Sequence, residues 1–167
     1  MSLLGLFEWL AATPGSIALH ESRYAFLIIL TLHVLTLSVF VGAAVMIDLR
    51  LLGLTMRQIP ASQVVSRLAP WAAGGFVVMI VTGSLLFYAS PVDRYLNYFF
   101  RAKMTMLVLA GLNVWLFHRR MYRNIAEWDR DPVPPLGVQL TGGVSLALWA
   151  GMILAGRMMA YQQYWFG

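Results

Sequence analysis

From Tyr24 to Ile47 the chain is apolar except for a few hydroxyls and one imidazole, that of His33. A run of this length is enough to cross a bilayer as a helix, which takes roughly 20 apolar residues. Within hydrocarbon every backbone N–H and C=O must find its partner inside the chain, so a helix is the only form open to such a run. Asp48 and Arg50 follow it directly and mark the expected return to water.

Three further apolar runs meet the same condition, about 70–89, 99–117 and 136–161, after the first at about 24–47. Hydrophobic residues make up 60% of the 167 and charged ones 11%, against about one quarter charged in soluble domains. The predicted fold class is all-α: an integral membrane four-helix up-down bundle forming a single transmembrane domain over residues 1–167. Short connections favour antiparallel neighbours. Ahead of the spans, residues 2–12 place Leu3, Leu6, Phe7 and Leu10 at helical spacing. That stretch is too short to span, and it predicts an amphipathic helix lying in the interface. Thr13-Pro14-Gly15-Ser16 breaks it, with Ser16 as the expected N-cap of the helix that follows.

Four spans put both termini on one side. The connections on the other side, 48–68 and 118–135, carry Arg50, Arg57, Arg67, Arg119, Arg120, Arg123 and Arg130. The positive-inside rule places those connections in the cytoplasm and both termini outside. Trp9, Tyr98, Tyr161, Tyr164 and Trp165 are then expected to form an outer aromatic belt, and Trp115, Tyr122 and Trp128 an inner one.

The net charge of +5 follows from this loop bias, and no basic stripe interleaved with aromatics points to nucleic acid. With no cysteine in the sequence there can be no disulfide, thiolate metal site or Cys-ligated cluster. Glu8 and the lack of a basic start argue against a cleaved signal. No hydrolase motif, P-loop or acidic relay is present, and no span is visibly broken at midplane in the manner of a transporter.

An ionisable group inside a span is costly and marks a functional site by default. Two readings of His33 stand side by side. It shares a hydrogen bond with a neighbouring helix, or one ring nitrogen ligates a haem iron while the other is oriented by a second group. By helix rise His118 lies roughly 18 Å away in depth and His20 roughly 20 Å, so neither forms a bis-histidine site with it. Met106 on the third span and Met152 on the fourth fall near the depth of His33 and are candidate second axial ligands, although methionines in an apolar chain mostly fill cores. A single-His site is equally open.

Arg101, Lys103 and Arg157 sit within a turn or two of the outer ends of their spans. They either snorkel to headgroups or clamp an anionic group such as a haem propionate. Gly143, Ala147, Gly151 and Ala155 repeat at intervals of four on span four, which predicts close helix approach along one groove. Asn113 is expected to be an interhelical hydrogen-bonder.

The segments ESRYAFLIILTLHVLTLSVFVGAAVMIDLRLLGL, APWAAGGFVVMIVTGSLLFYA and FRAKMTMLVLAGLNVWLFHRRMYR together resemble a bacterial inner-membrane family of unknown function. The order of parts is also similar to copper-resistance D-type and J-type protoporphyrinogen oxidase membrane proteins. Those carry a histidine on an early span, a Thr-Gly or similar pair on a following span, and a basic residue opening a later one. The resemblance implies haem b at His33, with Arg101 and Lys103 as the basic pair. The leading expectation is therefore a b-type haem membrane subunit transferring electrons near the outer leaflet of the bacterial inner membrane. It would exchange electrons with a quinone or a redox partner protein, alone or as a homo- or hetero-oligomer. The alternative is a cofactor-free accessory or assembly subunit of a membrane complex.

Overall fold

The computed structural model describes residues 3–162 and 164; Ser2 and Trp165, which entered the expectations above, lie outside the described residues. The chain is all-α and a multi-pass membrane protein. Four helical segments are long and apolar enough to span: Arg23–Leu51, Ala61–Tyr88, Tyr98–Glu127 and Leu136–Tyr161. In order, the elements are α1 (Leu3–Ala11), α2 (Pro14–Glu21), α3 (Arg23–Leu51), α4 (Ala61–Tyr88), α5 (Pro91–Leu96), α6 (Tyr98–Leu116), α7 (Ile125–Trp128) and α8 (Leu136–Met158). The α3/α4 and α6/α8 pairs pack most extensively, and α3 against α8 joins them. In α8, 28% of the apolar window is buried against 6% in each of the other three, so α8 is the innermost helix.

The outward surface is made of large apolar side chains such as Ile28, Leu35, Val77, Val108 and Leu154, which suits hydrocarbon and not water. Inside, Phe40, Ala110, Trp149 and Met152 form the middle core, with Phe76, Met79 and Met106 packed on it. The Phe40 ring meets Trp149 edge-on at 4.7 Å. Helix approach is closest at glycines. A Cβ at Gly75 would fall 3.0 Å from Phe40 Cβ, and one at Gly142 would fall 3.0 Å from the Asp48 carbonyl oxygen.

The expected groove of small residues on span four does not run as one face. Ala147 is exposed, and the buried line is Val138, Gly142, Ser145, Trp149, Met152 and Ala155. A repeat of four drifts about 40° per step around a helix, so four such residues cannot stay on one contact line. Asn113 Nδ2 does donate to the Thr141 carbonyl at 2.9 Å, linking α6 to α8 as expected.

One end of the bundle, the α1 end, is closed by short helices. Phe7 on α1 packs against Phe87 and Tyr95 at 5.5 and 4.8 Å. Ser16 is not an N-cap but a buried residue inside α2, where its hydroxyl donates to the Tyr88 carbonyl at 2.7 Å. Pro14 starts α2 two residues earlier, because proline suits the first helical turn. Ser22 then separates α2 from α3 and caps α3 by accepting from Ala25 N. Asn97 Nδ2 donates to the Met159 carbonyl at 3.1 Å, and Tyr98 N donates to Gln162 Oε1 at 2.6 Å, fastening α6 to the end of α8.

The opposite end, the Arg50 end, corrects two expectations. Asp48 and Arg50 do not meet water: they are 5% and 0% exposed. Arg50 donates to the carbonyls of Ile59, Asp129 and Asp131 at 2.9, 3.4 and 3.2 Å, tying both connections to the tip of α3. Asp129 in turn accepts from Ser62 N and Ser62 Oγ at 2.7 and 2.8 Å, capping α4 from outside its own segment. Anchored there, with Ala61, Val64 and Val65 buried, α4 begins at Ala61 and runs through Pro70, which the apolar run alone placed at its start. The stretch after Leu116 also stays helical, as a π-turn over Phe117–Met121 and a short 3₁₀ turn before α7. Trp128 is not an interfacial belt residue. It is 5% exposed, and its indole donates to the Met121 carbonyl. Trp9, Tyr98, Tyr161 and Tyr164 are exposed near the α1 end.

Candidate functional site

His33 lies ten residues into α3, roughly 15 Å from the helix start at the α1 end. Its ring faces α4. Nδ1 is 2.7 Å from Thr82 Oγ1, and Gly83 leaves room for the ring, since a Cβ there would fall 3.4 Å from His33 Cε1. Thr82 is only 3% exposed, and its hydroxyl donates back to the Val78 carbonyl at 2.8 Å. With that single proton directed at Val78, Thr82 Oγ1 is open to accept from His33, the pairing in which Nδ1 carries the imidazole hydrogen. Nε2 then keeps its lone pair, and no described residue hydrogen-bonds to it. A ring held at one nitrogen with the other bare is the arrangement metal-ligating histidines use.

The two candidate methionines do other work here. A Cβ at Gly151 would meet Met106 Sδ at 2.7 Å, so that sulfur packs α6 onto α8. Met152 is 6% exposed in the middle core. Among the described residues, no three His, Cys, Asp or Glu side chains gather where they could hold a metal ion. His20 bonds to the Ala89 carbonyl and Ser90 Oγ, and His118 stacks on Tyr122 at 5.0 Å. Both imidazoles thus have their contacts at the two ends of the bundle, away from His33.

The three outer cations separate. Arg101 and Arg157 are exposed, and the Arg101 guanidinium sits 5.7 Å from the Tyr95 ring centroid. Lys103 is half-buried. Its Nζ lies 3.8 Å from where a Cβ would stand on Gly156 of α8, and its charge reaches the His33 ring. Arg94 on α5, also half-buried, acts on Lys103 in turn. Burial pushes the Arg94 guanidinium below its ordinary pKa, and Asp93 beside it pushes back. An apolar groove of about 440 Å³ runs between α3 and α4, lined by Leu35, Val39, Trp71, Gly74 and Val78; His33 is not part of it.

Over residues 7–162 the sequence matches a family of unknown function, DUF6644. The chain belongs to this family. No curated protein and no solved structure matches it. Family membership assigns no chemistry to His33.

Sequence reasoning found His33 and Lys103 but missed Thr82, Gly83, Arg94 and Gly156. Thr82 carried a usable signal, as one of few polar side chains within the apolar part of α4. Its pairing with a residue 49 positions away is a property of the packed helices.

Proposed function

We propose that this DUF6644 chain is a single-histidine, b-type haem subunit of the bacterial inner membrane, oriented with the α1 end and both termini outside. The observation that supports it is the 2.7 Å contact of His33 Nδ1 with Thr82 Oγ1, whose own proton is directed at the Val78 carbonyl, the pairing that leaves Nε2 as the lone-pair nitrogen. Haem bound there would supply one-electron redox chemistry, serving a quinone or a redox partner protein near the outer leaflet. In that role His33 Nε2 is the iron ligand and Thr82 orients the ring. Lys103, the inward cation, faces a propionate, with Arg101 and Arg157 at the headgroups. The packing of Met106 and Met152 favours no second protein ligand.

A cofactor-free accessory subunit is the second reading, and one observation favours it. The 2.7 Å His33–Thr82 bond is by itself a sufficient interhelical lock. An absorption spectrum of the purified protein separates the two. The haem reading expects a reduced-minus-oxidised Soret and α band that His33→Ala abolishes while the helical content stays. A colourless protein that remains colourless after incubation with haem overturns it.

A further inference from the structure

The sequence contains twelve Lys and Arg residues, and all but three are exposed; the three are Arg50, Arg94 and Lys103. Arg50 donates through Nε and Nη2 to three backbone carbonyls, and its Nη1 has no described partner. The other two lie together at the α1 end, on α5 and on the first turns of α6. No described residue gives Lys103 a hydrogen bond or an ion pair, and the charge that acts on it is the like charge of Arg94. Asp93 acts on Arg94, its chain neighbour, and stays exposed itself.

Lys103, half-buried with a like charge near it, carries a free-energy cost that no described hydrogen bond or ion pair returns. Exposed cations escape that cost by reaching headgroups or aromatic faces, as Arg101 does over Tyr95 and Arg119 over Trp115 at 5.1 Å. Lys103 instead turns inward toward Gly156 of α8, its Nζ 3.8 Å from where a Cβ would stand. An ammonium binds an oxyanion as a compact charge with rotatable donors, and a neighbouring guanidinium adds a planar fork. Lys103 lies roughly 7 Å inside the α6 start at Tyr98 by helix rise. An anion at that depth arrives attached to an apolar body.

We propose that the α1 end of the bundle holds a site for one oxyanion group, a phosphate or a carboxylate, at the head of a membrane-dissolved amphiphile, with Lys103 as its direct contact and Arg94 as the second cation. The site does not require haem. An anionic lipid phosphate and a porphyrin propionate share the chemistry, and the experiment tells them apart.

The test uses the full chain in phosphatidylcholine discs containing phosphatidylglycerol, with lipid retention read by native mass spectrometry. In parallel, binding of iron protoporphyrin IX is compared with that of its dimethyl ester, which lacks the free carboxylates. Lys103→Gln is expected to weaken the anionic probe by about ten- to a hundredfold. Arg94→Gln is expected to weaken it less, and Lys103→Arg to retain most of it. Thermal unfolding confirms that each variant is folded. A phosphatidylglycerol preference lost in Lys103→Gln identifies a lipid; a protoporphyrin preference over its ester lost in the same variant identifies a carboxylate ligand. Equal binding of every probe by the wild-type chain and Lys103→Gln overturns the site. Porphyrin and its ester binding alike, with no lipid preference, keeps the haem reading and removes this one. Lipid retention through Lys103 without any porphyrin binding does the reverse.

Discussion

The two ends of the bundle handle buried positive charge in opposite ways. At the Arg50 end the guanidinium is wholly buried and donates to carbonyls from both connections, so the charge serves as a fastener. At the α1 end Lys103 and Arg94 are half-buried and lack such partners among the described residues. A cation bound to backbone is architecture, because its partners are fixed by the fold itself. One held inside without a partner leaves room for something the chain does not supply. His33 sits nearer the second kind of place, with one nitrogen bound and one bare.

The sharpest way to break this contrast is at Arg50. Arg50→Met keeps much of the side-chain volume but strands the carbonyls of Ile59, Asp129 and Asp131 in a buried setting. The expected loss is about 3 kcal/mol or more, read as a lowered unfolding midpoint in detergent. Lys103→Met, by contrast, is expected to leave the midpoint unchanged or raise it, since it removes a cation with no described partner. If Arg50→Met proves as stable as the parent, the fastener account of that end is wrong.

Gly75→Ala comes next. Its Cβ would press on Phe40 at 3.0 Å from Cβ and 3.3 Å from Cα, so α3 and α4 must part, at about 1–3 kcal/mol. Gly74→Ala is the control, because nothing lies within 4 Å of its Cβ position. Equal midpoints for the two variants would contradict the close approach at Phe40. Asp129→Ala then removes the cap on α4 that Ser62 donates to, with an expected loss of about 1 kcal/mol.

These positions show what the sequence could and could not reveal. The spans were legible because the length of an apolar run is a local property, fixed by bilayer thickness. His33 and Lys103 were legible because an ionisable group in such a run stands out on any reading. Asp48 and Arg50 were misread for the same reason. A charge at the end of an apolar run suggests water, and only the fold reveals that both side chains are buried and that, for Arg50, carbonyls 9, 79 and 81 residues away replace water. The start of α4 was misplaced likewise: Pro70 looks like a boundary until Asp129 is seen capping the helix nine residues earlier. Met106 and Met152 were matched to His33 by depth, but rotation about the helix axis decides what a side chain meets, and it turned them to the core.

The smallest effect bears most directly on His33. Thr82→Val removes the oxygen that accepts from Nδ1 and leaves the isosteric methyl groups in place. Interhelical hydrogen bonds in membranes average about 0.6 kcal/mol, so the midpoint is expected to move only slightly. The tautomer is expected to change more visibly. In the parent protein, nitrogen NMR of a labelled imidazole should show a protonated Nδ1 and a bare Nε2; in Thr82→Val the two forms should mix, and Thr82→Ser should restore the first. If His33 ligates haem, the same variant should also weaken haem binding by about 10- to 100-fold, as loss of an orienting partner does for ligating histidines. Should the parent protein show Nε2 protonated instead, Thr82 donates to His33, no lone pair faces the bundle, and His33 belongs with Arg50 as a fastener.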